Sequence, residues 1–107
     1  MKDLEFLGSS HKDIAKFPDS AKAVAGFQLH RIQVGLTPSS WKPMGAVGLG
    51  VREIRISALG QYRVIYTANF QDRVYVLHAF EKKTQKTEKH DIDLARSRLK
   101  DVENDKS

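Results

Sequence analysis

The residues best suited to chemistry lie in the second half of this 107-residue chain: Arg55, Arg63, His78, the run Glu81-Lys82-Lys83-Thr84-Gln85-Lys86-Thr87, and His90. An arginine grips a phosphate with two parallel donors and a lysine adds a mobile point charge. Arg55, Arg63, Lys82, Lys83 and Lys86 therefore predict a cradle for a phosphodiester, whereas the lysines taken alone also read as a solvated loop. Strand pairing supplies the geometry. With Ser57 opposite Gln61, Arg55 stands directly opposite Arg63, and with Ala68 opposite Arg73, Arg63 stands opposite His78. Arg55, Arg63 and His78 would then form a row on one face of a sheet, with Ile54, Ile56, Val64 and Leu77 on the other. Two opposed guanidinium groups repel unless an anion or an acidic partner sits between them, which marks that face for binding.

The four histidines, His11, His30, His78 and His90, are scattered, and neither an HExxH spacing nor a carboxylate cluster is visible. The expectation is thus chemistry without a metal and without a cofactor. Cleaving RNA that way requires activating the ribose 2′-hydroxyl, stabilising extra negative charge at phosphorus and protonating the leaving 5′-oxygen. Cations suit the second role, and His78, His90 or Lys82 the first or third. A histidine within a strand is also commonly structural, so His78 carries both readings.

Composition agrees with a polyanion binder. Eighteen Lys+Arg against thirteen Asp+Glu give a net charge of +5 and a pI near 9.6, which attracts polyanions. The absence of cysteine excludes disulfide frameworks, thiol catalysis and thiolate metal sites. A chain that is 40% hydrophobic and 29% charged reads as a globular domain rather than a disordered one. No apolar run approaches the roughly 18 residues of a membrane helix. The start, Met1 to Phe6, lacks the apolar core of an export signal, so the expected location is cytoplasmic, with no membrane partner.

The elements that must position these residues follow from pattern. Leu4 to Leu7 reads as a short strand. Ser9 or Ser10 caps a first helix that ends near Phe17, before Pro18. A second helix opens at Pro18 or Asp19, with Ala21, Val24, Ala25, Gln28 and Ile32 along one side, and stops at Gly35. Residues 36–50, with Pro38, Pro43, three glycines and Trp41, read as a long loop. Trp41 either plugs the edge of the core or offers a ring on which a nucleobase stacks. Val51 to Ser57, Gln61 to Ala68 and Arg73 to Phe80 form an antiparallel meander, its first turn closed by Ala58-Leu59-Gly60. Thr87 caps a last helix carrying Ile92, Ala95, Leu99 and Val102 at helical spacing. The order β-α-α-β-β-β-α gives an α+β class: a helical hairpin packed on a small antiparallel sheet, one domain over residues 1–102 and a frayed tail at 103–107.

Three stretches, in order, resemble the RelE/ParE toxin superfamily and, within it, the phage-derived HigB-like branch. They are Gly50-Val51-Arg52-Glu53-Ile54-Arg55, Tyr62-Arg63-Val64-Ile65-Tyr66, and Val76 through Thr87. The Phe17-Pro18 break and the Asp91-Ile92-Asp93-Leu94-Ala95 start of the last helix extend the likeness over nearly the whole chain. The resemblance implies the toxin of a type II toxin–antitoxin pair that cleaves mRNA in the ribosomal A site without metal. Its partners would be a cognate helix-turn-helix antitoxin, the ribosome and mRNA. Arg63 matches the central-strand arginine that contacts the scissile phosphate in the ribonuclease members, Lys82 falls at or beside the basic residue ending the last strand, and Arg55 matches a Leu-Arg of the pattern. Departures are Val51 and Glu53 where the best-known member has lysines, Glu81 in place of a polar or basic residue, Glu88 at a common proline, and no late tyrosine, for which His90 is the nearest substitute. Two other functions stay open: a ParE-type inhibitor of DNA gyrase without catalysis, and an RNA-binding module that contacts backbone without cleaving it.

Overall fold

A computed structural model describes residues 1–106. The elements are β1 (Asp3–Phe6), α1 (Ser10–Ala15), α2 (Asp19–Gln33), β2 (Trp41–Pro43), β3 (Arg52–Ser57), β4 (Gln61–Thr67), β5 (Arg73–Glu81) and α3 (Lys89–Lys106). The class is α+β, as expected, with two differences in the sheet. Its strand order is β1-β5-β4-β3-β2, and β1 runs parallel to β5, so the sheet is mixed rather than wholly antiparallel. The second difference is β2, an edge strand inside the segment read as a loop. An edge strand pairs on one side only, so Pro43 is tolerated there. Backbone bonds from Arg55 N–H to the Ser40 carbonyl and from Met44 N–H to the Val51 carbonyl pin both of its ends.

Helices cover both faces of the sheet. On one, Ile14, Ala21, Ala25, Leu29 and Ile32 of α1 and α2 pack on Ile54, Ile56, Val64, Tyr66 and Val76. Ala21 and Ala25 are fully buried, and their small side chains let α2 lie close to the strands. On the other face Ala95, Leu99 and Val102 of α3 meet Val51, Ile65, Tyr75 and Leu77. Leu77 is therefore not with Ile54, Ile56 and Val64, and His78 is not opposite Arg63. The pairs are Arg63 with Phe80 and Ile65 with His78.

The cause is local. Thr67 pairs with Tyr75, one residue later than the turn chemistry implied, and the register shifts again between Ile65 and Tyr66, where Leu77 is the extra residue of a β-bulge. Two one-residue shifts sum to an even number, so His78 stays on the face of Arg63 while moving one pair along it. The hairpin between β3 and β4 has the expected register, with Ser57 opposite Gln61 and Arg55 opposite Arg63. Both Leu59 (φ 57°) and Gly60 (φ 134°) take positive φ to close it.

The start of α3 also differs from the sequence reading. The Glu88 carbonyl accepts the N–H groups of Asp91 and Ile92, while the Thr87 hydroxyl leaves the helix and donates to Glu53. The helix continues through residues 103–106.

Candidate functional site

Alternation along β3 puts Glu53 and Arg55 on the α3 side of the sheet, and pairing with β4 brings Arg63 beside them. Lys42, on β2 directly opposite Glu53, joins from the edge. Glu53 is completely buried. Its Oε2 accepts a hydrogen bond from the Thr87 hydroxyl at 2.8 Å, and its Oε1 lies 3.7 Å from both Arg63 Nε and Lys42 Nζ. Neither Glu53 Oε1 nor Arg63 Nε completes a hydrogen bond. The acidic partner that opposed arginines need is therefore supplied by the fold itself, two residues before Arg55 on the same strand.

Arg63 is held from within. Only 4% of it is exposed, and its Nη1 donates to the Tyr62 carbonyl at 2.9 Å and reaches the Gln61 side-chain oxygen at 3.5 Å. Burial lowers its pKa from the ordinary arginine value, Glu53 opposes the change and Arg55 adds to it. Arg55, across the hairpin, is exposed. Lys82 extends the end of β5, its N–H bonded to the Gln61 carbonyl at 2.7 Å. Burial, then Lys42, Arg63 and Arg55, push the Lys82 ammonium below the ordinary lysine range, and only Glu53 pulls it back. Lys42, Arg55, Arg63 and Lys82 thus surround one carboxylate, a surplus of three positive charges.

Lys82 also opens the second half of the site. Lys82, Lys83, Lys86 and His90 line a pocket of about 180 Å³ between the end of β5 and the start of α3, sharing its wall with Phe80 and with the acidic residues Glu81, Glu88 and Asp91. Five predicted residues are therefore contiguous: Arg63, Lys82, Lys83, Lys86 and His90. Arg55 flanks them on the exposed surface.

His78 has a different place. It is 6% exposed, its Nε2 lies 2.6 Å from Asp91 Oδ1, and its ring stacks on Phe80 at 5.1 Å. Arg98 Nη1 stands 3.5 Å from His78 Nδ1 and donates to the Leu77 carbonyl. His78 ties β5 to the first turn of α3, and so positions the pocket wall rather than lining it. Trp41 sits apart as well. It pairs with Ile54 on the α2 side, with the Arg52 guanidinium 4.1 Å from its ring centroid.

Among the described residues, Glu88, His90 and Asp91 form one group able to hold a metal ion, their ligand atoms within 4.8 Å of one another. The sequence reading found no such cluster. Here His90 Nδ1 lies 3.3 Å from Glu88 and Nε2 lies 3.4 Å from Asp91, so both ring nitrogens already face carboxylates.

Two neighbours of these residues escaped the sequence. Lys42 lies in the Pro- and Gly-rich segment whose pairing no local signal gave. Glu53 was visible on the Arg55 face by alternation, but its neutralising role needs the burial that α3 and Thr87 provide.

The family model described as Phage derived protein Gp49-like (DUF891) matches residues 12–100. No curated protein matches the chain.

Proposed function

The chain belongs to the phage-derived Gp49-like family, a RelE-like toxin family, and on that premise we propose that it is the toxin of a type II toxin–antitoxin pair, in the HigB-like branch, acting as a ribosome-dependent mRNA endonuclease through one domain over residues 1–102. The observation that carries this reading is the cationic surplus around Glu53, next to a pocket where Lys82, Lys83, Lys86 and His90 stand among the acidic residues Glu81, Glu88 and Asp91. A phosphodiester adds a second negative charge where the single internal carboxylate leaves the cations unneutralised. Arg55 and Lys82 are the cations that reach it from the surface, with Arg63 and Lys42 adding field from behind.

Lys82 suits a changing role. With its pKa pushed down, more of its amine is neutral before substrate binds, which favours accepting the 2′-hydroxyl proton. A bound phosphate raises that pKa again and holds the proton as charge builds at phosphorus. His90, exposed at the far wall, is the group placed to protonate the leaving 5′-oxygen. The cognate antitoxin, a helix-turn-helix protein, covers this cationic face with acidic or apolar groups.

A single expression experiment tests the reading. On induction, incorporation of labelled methionine falls before DNA synthesis does, and new 5′ ends appear within translated mRNA. Arg55→Gln and Lys82→Gln each suppress growth arrest at equal protein level. These exposed or half-exposed positions leave the buried Glu53–Arg63 pair intact. DNA damage preceding any loss of translation would instead favour gyrase inhibition, and RNA binding with steep salt dependence but no new ends would favour a non-catalytic module.

A further inference from the structure

The opposite face of the sheet holds a second cationic cavity that the proposed nuclease reaction does not use. Arg52 and Tyr66 are direct cross-strand partners on β3 and β4, on the α2 side. They share a cavity of about 350 Å³ with Lys2, Thr37 and Asn69, floored by Ile32 of α2. Among the described residues, no carboxylate lines it.

Tyr66 is 1% exposed, and its hydroxyl completes no hydrogen bond of good geometry among the described residues. A buried hydroxyl without a partner destabilises the fold by its full desolvation penalty, so an orphan that lines a cavity marks a place where something else bonds it. Burial pushes the phenol pKa up, and the Arg52 guanidinium opposes the rise through a side-chain contact with the hydroxyl and through its charge, a contact that falls short of a full hydrogen bond. The second unmet group is Arg52 itself. Its guanidinium lies over Trp41 and beside the Tyr66 hydroxyl and forms no ion pair with a carboxylate among the described residues, which leaves the rest of its five N–H donors available. Lys2 spends one of its three donors on the Ala68 carbonyl at 2.8 Å. The carbonyls ending α2 do not compete, since the N–H groups of Val34, Gly35 and Leu36 already bond to His30, Ile32 and Arg31.

We propose that this cavity binds a phosphate group, free or as the monoester of a small molecule, on Arg52, the Tyr66 hydroxyl and Lys2. Donors from three separate strands or strand ends suit a tetrahedral anion with three free oxygens better than a planar carboxylate with two. The volume exceeds that of bare phosphate and accommodates a small esterified group. The site is independent of the nuclease reading, because it lies across the sheet from Lys82.

The test is a titration of the full chain with inorganic phosphate, phenyl phosphate and acetate, read by the Arg52 Nε–H and Tyr66 ring NMR signals and by thermal unfolding. Inorganic phosphate shifts both signals and raises the melting temperature, and acetate does so at least about fivefold more weakly. Phenyl phosphate binding more tightly than phosphate identifies an esterified ligand, and the reverse identifies the free ion. Arg52→Gln and Tyr66→Phe each weaken binding about tenfold, the loss expected for one hydrogen bond to a charged group. Tyr66→Phe, which removes the orphan hydroxyl, leaves the unliganded protein as stable as before or more so, keeping the test valid if Arg52→Gln disturbs the Trp41 stack. Phosphate stabilisation unchanged in both variants would show adventitious binding elsewhere on this basic chain and overturn the site. A marked loss of unliganded stability in Tyr66→Phe would reveal an internal partner for the hydroxyl and overturn it equally.

Discussion

On the α3 side of the sheet, Arg63 lies 3.7 Å from a carboxylate that is wholly buried, and three other cations crowd the same charge. On the α2 side, the cross-strand pair Arg52–Tyr66 shares a cavity with Lys2, Thr37 and Asn69, with the guanidinium laid over Trp41 and no acid among the described residues lining the cavity. Both arginines belong to adjacent strands of one hairpin and differ by which face alternation assigns them. The face of Arg63 carries its counter-ion inside the fold, which fixes the arginine and leaves its neighbours Arg55 and Lys82 as the groups open to the surface. The face of Arg52 carries none, so the arginine itself is available. Burial of a charge and its availability for binding are alternatives, decided here by the presence of Glu53 on one face and its absence from the other.

The harshest way to break that contrast is to remove the internal counter-ion. Glu53→Ala leaves Arg63 buried beside Lys42 and Lys82 with no carboxylate, and breaking one half of a buried pair costs about 3–5 kcal/mol. Urea unfolding should show a drop of that size. The double variant Glu53→Met with Arg63→Met should recover most of it, because apolar side chains of similar volume replace a buried pair with little penalty. A loss below about 1 kcal/mol in Glu53→Ala would mean that Arg63 swings out to water, and the two arginines would then be alike.

How much of this was legible before the structure depends on chain separation. The Arg55–Arg63 juxtaposition was readable because three residues close the hairpin, and a short turn fixes register. The helix faces were readable from Ala21, Ala25 and Ile32, and from Ala95, Leu99 and Val102, whose spacing survives in both cores. The position of His78 was not, because the bulge at Leu77 inserts a residue that leaves no mark in composition. Lys42 was hidden because a three-residue edge strand between prolines and glycines has no alternation to detect. The pocket joining Lys82, Lys83, Lys86 and His90 was half visible. The lysine run was plain, but the approach of His90 depends on where α3 begins, and Thr87 turns away from its expected cap to bond Glu53.

A smaller effect sharpens the contrast within the α3 side. Lys82 is held below its ordinary pKa, first by burial and then by Lys42, Arg63 and Arg55, so its protonated form strains the folded state. That penalty is present in full below the folded-state pKa and fades as pH rises through the ordinary lysine value near 10.4, because the unfolded chain binds the proton more tightly. Lys82→Gln should therefore be as stable as the parent at neutral pH or slightly more so, by no more than about 0.5 kcal/mol. The difference should shrink at alkaline pH, while toxicity is lost. Gain of stability with loss of activity is the mark of a residue kept for function. A Lys82→Gln protein that is clearly less stable at pH 7 would instead make Lys82 part of the fold's own charge balance.

The smallest effect separates the two faces by pH alone. Burial raises the Tyr66 phenol pKa, with Arg52 opposing. Above the ordinary phenol value near 10 the unfolded chain releases this proton while the folded chain retains it, so Tyr66 contributes a loss of stability that grows as pH climbs toward the folded-state value. The Lys82 contribution runs the other way, but it is common to the parent and to Tyr66→Phe and cancels in their difference. Urea midpoints of the two proteins, measured from pH 7 to 11, should stay parallel until about pH 10 and then separate, with Tyr66→Phe the more stable. Saturating phosphate below pH 10 should reverse the order, since only the parent has the hydroxyl that bonds the anion. Midpoints that remain parallel to pH 11 would mean that water reaches the phenol, and the α2 face would then hold no unmet polar group to set against the filled charge pair across the sheet.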